Sequence, residues 1–488
     1  MNALARTTKR LLPDPSRTLT RLFVPGREAL IHGESRALPV LERVMAMDDD
    51  AVMAALRRTM ADYSTRHRDL RGLLEHNFSL VAHRLGEGVD VGSDRRALIG
   101  AYFTHEYALE AAALCNPSIV AHPDQAGVAA GELRFVMSLR AIGEGHLSSI
   151  EFRTGTIDAA ARVRFDIAGG FLDAGRHRTA AFDRALLRAV LREAGEDDEN
   201  TRFVWDALPA RFEIHDLDRV LAALDRQQLT RRGAQGFIDK VRRAAACNYV
   251  VEFDTDVALS ERVLWPHGPA EANGMEDARF VRFSDGGAAT YFATYTAFDG
   301  SQVAPQLITT DDFATFNVSQ LAGPAAKGKG LALFPRKIAG RYAALSRWDR
   351  ENNAISFSDD ARVWEAATTV QTPRHAWDLI QIGNCGSPIE TPAGWLVLTH
   401  GVGPMREYAL GATLLDLSDP RKVIGTLPDP LLRPDESERV GYVPNVVYSC
   451  GALLHGDTLV LPYGCSDHSV RVATVRLPEL LDQLSRAR

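Results

Sequence analysis

Apolar side chains recur at helical spacing in two stretches of the chain. The first runs through Val52, Leu56, Met60, Tyr63, Leu70, Leu74, Phe78 and Val81. The second runs through Phe182, Leu186 and Val190 and continues at Leu217, Leu221 and Leu224. Spacings of three, four and seven residues are typical of amphipathic helices. The pattern therefore predicts an N-terminal helical region over residues 1–98 and a helical insertion over residues 172–245.

Most of the remaining chain is predicted to form strands, and five segments share one plan. Each has a short lead-in, a polar turn that usually contains glycine, and a strongly apolar strand with a polar end. They read NPSIVAHPDQAGVAAGELRFVMSLRA, EDARFVRFSDGGAATYFATYTAF, LFPRKIAGRYAALSRW, GSPIETPAGWLVLTHGV and NVVYSCGALLHGDTLVLPYGCSD. Three of the four intervals between lead-ins are about 55 residues long, and the helical insertion accounts for most of the excess in the first. This period is typical of propeller blades, so the predicted fold class is an all-β five-bladed β-propeller.

The repeat and the helical stretches divide the chain into four regions. They are the N-terminal helical region at 1–98, the start of the propeller at 99–171, the helical insertion at 172–245 and the remainder of the propeller at 246–488. The last region is expected to be catalytic.

Equivalent positions of propeller blades meet around a central axis, so residues far apart in sequence can form one site. At the polar end of the long strand the five repeats carry Arg140, Thr296, Arg347, His400 and Asp467. At the lead-in they carry Asn116, Asp277, Lys329, Asn384 and Asn445. Three basic-type side chains and a carboxylate that converge in this way indicate an anion or sugar site.

The second lead-in, NGMEDAR at 273–279, places Glu276 and Asp277 side by side before an apolar run. Strand alternation sends successive side chains to opposite faces, so the two carboxylates are expected to have different roles. Three of the chain's six lysines, Lys327, Lys329 and Lys337, fall in one short stretch of a sequence that otherwise uses arginine. That cluster suggests a place where an anion is held.

Composition narrows the classes of function. The 488 residues include 56 basic and 63 acidic side chains, a net charge of −7, which gives no indication of a nucleic-acid partner. No apolar run reaches the roughly 18 residues of a membrane helix, and the first residues lack the apolar core of a secretory signal. We therefore expect a cytoplasmic protein without a membrane partner. Five widely spaced cysteines, with no CxxC pair, indicate neither a disulfide framework nor a zinc site.

From about residue 110 to 475, an ordered series of motifs resembles glycoside hydrolase family 130, the β-mannoside phosphorylases and related β-mannosidases. The motifs are NPS, GMEDAR, LFP, GSPI, GWLVLTHGV, GATLLDLSDP, NVVYSCG and YGCSD. The resemblance implies a five-bladed β-propeller, in agreement with the repeat. It also implies an inverting β-mannoside phosphorylase, which cleaves short β-linked manno-oligosaccharides with inorganic phosphate to α-mannose 1-phosphate.

The resemblance also implies roles for the residues that match the family's motifs. Asp277 would be the general acid and would deliver its proton through a hydroxyl of the bound mannose. Lys329, Arg347 and His400 would bind phosphate. Substrate binding would fall to Asn116, Arg140, Glu276, Arg279, Gln381 and Asp467.

These residue types also fit phosphorolysis on chemical grounds. Inverting hydrolysis needs an acid and a second carboxylate, about 6.5–9.5 Å away, that activates water. Phosphate is already an anion and needs positioning instead of deprotonation. A phosphorolytic site is therefore expected to have one essential acid and a cluster of cations. Apart from phosphate as co-substrate, no metal or organic cofactor is expected.

Three positions depart from the family's pattern. Ala278 occupies a position where the family commonly has proline, Gln381 one where a basic residue is expected, and Arg336 one that is more usually acidic. Either the positive charge has moved to Arg336 or phosphate binding is weakened. The second possibility leaves open an inverting β-mannoside hydrolase, whose base would be Glu390, Asp378 or Asp467. A non-catalytic glycan-binding propeller is a further alternative.

The helical regions carry no motif to which chemistry can be attached. We expect them either to form the interface of a homo-oligomer or to wall one side of the active site. In the second case they would limit the length of the acceptor.

Overall fold

Strands form from the apolar segments of the repeat, and helices form where the apolar spacing is helical. The computed structural model describes residues 4–26, 36–86, 88–193, 195, 199–287 and 289–486. Within these ranges the chain has 29 strands and nine α-helices and is mostly β. It divides into two units, one comprising Met1–Pro13, Glu110–Ala168 and Ala174–Arg488, the other Asp14–Leu109 and Gly169–Asp173. None of the described helices is both long and apolar enough to cross a membrane.

Helices make up most of the smaller unit. They span Ala37–Met45, Asp49–Tyr63, Leu70–Val81 and Ser93–Tyr102, and Thr18–Leu22 pairs antiparallel with Thr104–Ala108. The second and third helices begin after Asp48 and Asp69, whose carboxylates accept hydrogen bonds from the Ala51 and Gly72 amides. Most of the apolar positions that predict these helices are buried in the core of the unit.

The strand Leu4–Leu11 differs from the prediction, because it lies inside the stretch 1–98 that was assigned to a helical region. It pairs antiparallel with Ser469–Arg476 and belongs to the larger unit. The strand is rich in threonine and basic residues and has no helical apolar stripe. Its partner is almost a full chain length away, so local spacing could not reveal the pairing.

The largest sheet of the larger unit, sheet A, has eleven strands. In spatial order nine of them are Ala113–Ala121, Leu133–Ile142, Ser148–Ile157, Gly274–Phe283, Thr290–Phe298, Val303–Thr310, Thr315–Gln320, Tyr249–Glu252 and Arg176–Thr179. Val163–Phe165 and Val263–Leu264 also pair with Ser148–Ile157. The two halves of sheet A meet through one parallel pair, Gly274 with Ser148. This junction brings the first and second repeats together.

Three smaller sheets follow the remaining repeats. Sheet B consists of Ala332–Leu333, Tyr342–Ser346, Asn353–Ser358 and Ala367–Gln371. Sheet C consists of Gln381–Asn384, Ile389–Thr391, Gly394–Val402, Tyr408–Leu415 and Val423–Thr426. Sheet D consists of Val447–Tyr448, Leu453–His455, Thr458–Cys465, Ser469–Arg476 and the N-terminal strand Leu4–Leu11, and the helix Leu477–Arg486 follows it.

Residues 172–245, predicted as a helical insertion, contain four helices: Arg184–Glu193, Glu199–Ala207, Ile214–Asp225 and Ala234–Ala245. These helices share an apolar core, with Phe182–Asp183 and Arg211–Phe212 paired at its edge. The segment leaves sheet A at Arg176–Thr179 and returns at the neighbouring antiparallel strand Tyr249–Glu252. Its two ends are therefore adjacent in space.

Candidate active site

A β-bulge sets the direction of Asp277 at the start of the strand Gly274–Phe283. Glu276 pairs with Thr296 and Arg279 pairs with Thr294, so Asp277 and Ala278 together face one residue of the partner strand. Asp277 has a positive φ of 58°, which is uncommon for a residue other than glycine and costs on the order of 1–3 kcal/mol. Such bulges redirect side chains and often lie next to active sites.

Asn116 lies at a matching bulge on the strand Ala113–Ala121. Cys115 pairs with Arg140 and Ser118 pairs with Ser138, and Asn116 has a φ of 49°. The Asn116 amide donates a hydrogen bond of 2.5 Å to Oδ1 of Asp277. The lead-ins of the first two repeats therefore converge on one carboxylate, as the repeat predicts.

Glu276 and Asp277 share a partner, which contradicts the separation expected from strand alternation. Nη2 of Arg140 donates to Oε1 of Glu276 at 2.7 Å, and Nη1 of the same residue lies 3.8 Å from Oδ1 of Asp277. The bulge is the physical reason, because the positive φ at Asp277 interrupts the regular alternation of faces. Both carboxylates consequently contribute to one charged cluster.

Lys329 completes this cluster from the third repeat. Its ammonium donates to Oε2 of Glu276 at 2.5 Å, so Glu276 lies between two cations. Lys329 is flanked by Gly328 and Gly330, whose φ values of 80° and 94° favour glycine. The two glycines let the chain turn sharply on both sides of the lysine.

Arg279 lies behind Asp277 and is 2% exposed. Its guanidinium donates to the carbonyl of Asp277, the carbonyl of Cys385 and the hydroxyl of Tyr448 at 2.8, 2.8 and 2.9 Å. Nη2 is also 3.9 Å from Oδ2 of Asp277. Because each of these donors is satisfied, Arg279 is a fixed positive charge beneath the bulge.

Asp277 and Asp467 respond in opposite ways to this surrounding charge. Burial alone would raise the pKa of Asp277, but the charges of Arg140, Arg279 and Lys329 and the Asn116 hydrogen bond lower it. Burial and the negative charges of Asp277 and Glu276 raise the pKa of Asp467 to about 6, although Arg140 opposes the shift. The site thus holds an ionised Asp277 close to a more readily protonated Asp467.

Arg347 and His400 form a second group, as the repeat predicts for the third and fourth strand ends. Nη1 of Arg347 donates to Nε2 of His400 at 2.8 Å, and the amide nitrogen of Gln381 is 3.5 Å from the same imidazole atom. Burial first, and then the charges of Arg347 and Arg279, lower the pKa of His400 well below its usual range. His400 is therefore an uncharged hydrogen-bond acceptor and not the cation expected from its sequence position.

The remaining lead-in and strand-end residues are placed differently. Asn384 donates to the carbonyl of Gly330 at 2.9 Å and so holds the loop that carries Lys329. Asn445 accepts a hydrogen bond from Arg439 instead of contacting the Asp277 cluster. Thr296 is buried as the strand partner of Glu276.

Two of the three carboxylates considered as a hydrolytic base are occupied elsewhere. Glu390 makes paired hydrogen bonds of 2.7 and 2.8 Å with Arg336. Asp378 accepts from the amides of Arg374 and His375, both at 2.7 Å. Asp467, the third candidate, interacts electrostatically with Asp277 and Arg140.

Tyr448 joins the two groups and was not singled out from the sequence. Its hydroxyl accepts from Arg279, and its ring packs edge-on against His400 with centroids 4.9 Å apart. The motif NVVYSCG contains this tyrosine, but neither the lead-in nor the strand-end position of the repeat falls on it. A search for buried polar aromatics within the motifs could have found it.

The chain is similar in sequence to several known proteins. A family model described as beta-1,4-mannooligosaccharide phosphorylase matches residues 255–486. The β-1,2-mannobiose phosphorylase of Listeria innocua is 32% identical over 234 residues, which are 45% of this chain and 63% of that protein. The 1,2-β-oligomannan phosphorylase of a Thermoanaerobacter species is 34% identical over 234 residues, 46% of this chain and 75% of that protein.

The matched segment thus spans slightly less than two thirds of the Listeria protein and three quarters of the Thermoanaerobacter protein. A solved structure of the Listeria β-1,2-mannobiose phosphorylase in complex with β-1,2-mannobiose aligns with a TM-score of 0.47 and 22% identity. That alignment covers 77% of this chain and 92% of the Listeria chain.

Proposed function

Because the chain belongs to glycoside hydrolase family 130, we propose that it is an inverting β-mannoside phosphorylase. It cleaves short β-linked manno-oligosaccharides with inorganic phosphate and releases α-mannose 1-phosphate and a shortened acceptor. The observation that carries this proposal is the arrangement of Asp277, a single redirected carboxyl, among the cations Arg140, Arg279 and Lys329. Phosphorolysis requires such a combination of one acid and several positive charges.

Asp277 is the proposed general acid. It must carry a proton when the glycosidic bond breaks, yet the neighbouring cations lower its pKa. Phosphate bound close to Lys329 and Arg347 offsets positive charge near the carboxyl and so favours its protonated form. The proton then passes through a mannose hydroxyl to the leaving oxygen.

Phosphate is the proposed nucleophile and the only co-substrate, and no further cofactor is proposed. Lys329 and Arg347 bind it as cations, and uncharged His400 orients Arg347 by accepting its N–H. The bound phosphate attacks the anomeric carbon from the face opposite the leaving group, which inverts the configuration. No carboxylate base is needed, because the nucleophile is already ionised.

The mannose is proposed to bind between Asn116, Arg140 and Asp467, with Gln381 contributing on the phosphate side. Glu276 holds Arg140 and Lys329 apart in a fixed geometry. Arg279 remains covered and supports Asp277 from behind. Fixed donors of this kind can stabilise developing charge without reorganising during the reaction.

The sheets are proposed to form a five-bladed β-propeller around this site. Four features support the arrangement: the two-part sheet A, the three following sheets, the convergence of successive lead-ins, and the pairing of Leu4–Leu11 with Ser469–Arg476. Five free, buried cysteines support a reducing compartment, which we propose to be the cytoplasm. Homo-oligomerisation through a helical region stays part of the proposal.

Replacement of Asp277 by asparagine tests the assignment of the acid. The variant should lose about 10²- to 10⁴-fold in kcat on a mannobiose, because a positioned acid contributes that much. A mannoside with an acidic phenol as leaving group should lose far less, because that group departs without protonation. Equal losses on both substrates, or an unchanged rate on mannobiose, would contradict the role.

The linkage is tested with matched β-1,2- and β-1,4-mannobioses. The two relatives carry names that specify β-1,2-linked substrates, whereas the family model carries a β-1,4 name. We expect formation of sugar phosphate from at least one of the two. If neither reacts but the protein binds manno-oligosaccharides, it is a glycan-binding module and the phosphorylase proposal fails.

A further inference from the structure

The two phosphate-binding residues proposed above line a groove. It has a volume of about 830 Å³, and its lining includes Lys327 and Arg350 as well as Lys329, Arg347 and Gln381. The groove lies within the larger unit. Its volume falls in the range of sites that hold whole small molecules, about 300–1,000 Å³, and so exceeds what a phosphate ion requires.

Lys327 and Arg350 are free to bind an anion there. Both are exposed, and within the described part of the chain neither makes an ion pair. By contrast, Lys329 is bound to Glu276 and Arg347 to His400. The groove therefore contains an inner pair of engaged cations and an outer pair of available ones.

The backbone brings the outer and inner pairs together. Gly328 separates Lys327 from Lys329, and a Cβ atom at Gly328 would lie 3.3 Å from the carbonyl of Arg347 and 3.9 Å from Cγ of Arg350. The Arg350 amide in turn donates to the carbonyl of Arg347 at 3.0 Å. All four cations thus belong to two neighbouring turns packed on Gly328.

Among the described residues that line the groove, Glu193 is the only one with a negative charge. It lies at the end of the insertion helix Arg184–Glu193, and its carboxylate accepts a hydrogen bond from the Gly323 amide. Its charge also interacts with that of Lys327. Glu193 can therefore attenuate the attraction that the outer pair exerts on an anion.

From these observations we propose that Lys327 and Arg350 form an outer phosphate-binding position, which captures inorganic phosphate and passes it to Lys329 and Arg347. The proposal rests on the phosphorylase function proposed above. A row of like charges in a cleft raises the local concentration of counter-ions and the rate of their entry. The outer position never touches the reacting atoms, so it should affect the capture of phosphate and not the chemical step.

The double variant Lys327→Gln, Arg350→Gln tests this position by steady-state kinetics with phosphate as the varied substrate. We expect the KM for phosphate to rise about three- to tenfold, with kcat and the KM for mannobiose unchanged. Raising the ionic strength from about 0.01 to 0.15 M should lower kcat/KM for phosphate less in the variant than in the natural protein. The control Lys422→Gln removes a charge outside the groove and should change neither value.

The variant Glu193→Gln should change the KM for phosphate in the opposite direction. Glutamine keeps an oxygen that can accept from Gly323 but removes the negative charge, so the KM for phosphate should fall. A double variant with the same KM for phosphate as the natural protein, or a KM that rises in Glu193→Gln, would overturn the inference.

The phosphorylase proposal can be refuted independently of the outer phosphate-binding position. Phosphate-independent release of mannose would refute phosphorolysis, and the groove would then be judged by calorimetric titration with inorganic phosphate alone. Weaker phosphate binding in the double variant than in Lys422→Gln would still support the outer position. Equal binding in the two variants would refute it.

Discussion

Asp277 and Asp467 both interact with Arg140, but their charge states favour opposite pH ranges. The cations around Asp277 stabilise its carboxylate, whereas burial and two neighbouring carboxylates raise the pKa of Asp467 to about 6. An aspartate in an unfolded chain has a pKa of about 3.9. Between these two values the folded protein binds a proton at Asp467 more tightly than the unfolded chain does.

Asp467→Asn should therefore stabilise the protein at neutral pH. A raised carboxyl pKa lowers stability above about pH 6, and this penalty disappears as the pH falls towards about 4. The variant should gain about 1–2 kcal/mol in the free energy of unfolding at pH 7 and almost nothing at pH 4. Denaturant unfolding at both pH values measures the difference. A constant difference, or a loss at pH 7, would contradict the assigned pKa.

His400 should act through Arg347 and without a charge of its own. Because the imidazole is buried and already accepts from Arg347, its removal in His400→Ala leaves that guanidinium less well oriented. We expect the KM for phosphate to rise about tenfold, the value of a hydrogen bond to a charged group, with no new ionisation between pH 6 and 8. His455→Ala, which removes an imidazole bonded to Gly131, is the matched control. A pH profile that loses an ionisation near 6.5 in His400→Ala would show a charged histidine instead.

The sequence predicted which residue types meet at the site, but it predicted their protonation states and contacts less well. The repeat and the family motifs identified Asn116, Asp277 and Lys329, and the structure brings them into one cluster. They could not reveal that His400 is neutral, because its state depends on complete burial and on two arginines from other repeats. Tyr448 was missed for a similar reason, since its role depends on Arg279, which lies 169 residues away.

Bulges are the elements that organise the site. Two repeats place a polar residue with positive φ opposite a regular partner strand, and both side chains converge at Asp277. Alternation predicted the strand Gly274–Phe283 but misplaced Glu276, because a bulge is a property of pairing and not of apolar period. A prediction based on period alone will misassign the face of a side chain at each such position.

The insertion should be removable without loss of the sheet. Thr179 and Tyr249 are paired neighbours in sheet A, so an Asn-Gly turn in place of residues 180–248 can join them as a two-residue hairpin. The shortened protein should unfold cooperatively at a lower temperature, because apolar residues beneath the insertion such as Phe292 and Leu307 become exposed.

The same excision tests whether the insertion limits the substrate. Val190 and Glu193 line the groove that reaches Lys329 and Arg347, so their removal should shift activity towards longer manno-oligosaccharides. The ratio of kcat/KM values for a tetrasaccharide and a disaccharide measures this shift. A folded variant with an unchanged ratio would show that the insertion does not limit the length of the substrate. A variant that does not unfold cooperatively would show that sheet A depends on the insertion.

The molecule as a whole joins its first and last strands in sheet D. Removal of residues 1–11 would leave the backbone groups of Ser469–Arg476 unpaired on one edge. We expect a clear decrease in Tm, measured calorimetrically, and a larger effect than in Arg6→Ala, which keeps the strand but removes the ion pair with Glu438. If the truncated protein had the same Tm as Arg6→Ala, the pairing of Leu4–Leu11 with Ser469–Arg476 would not be what stabilises sheet D.

The mostly β character of the chain was predictable because a repeat of about 55 residues carries the same apolar plan several times. The division of the chain into two units was harder to predict from the sequence. The strand Leu4–Leu11 and the helices that follow it belong to different units, although they are close in sequence. Pairing over nearly the whole chain length leaves no local signal.

In the proposed reaction phosphate, and not water, attacks the anomeric carbon opposite Asp277. The most direct measurement is an NMR time course of β-mannobiose cleavage with and without inorganic phosphate, which identifies the first product and its anomer. Phosphorolysis predicts α-mannose 1-phosphate as the first product and no appreciable turnover without phosphate. Release of free mannose at the same rate in both reactions would contradict it and would show hydrolysis instead.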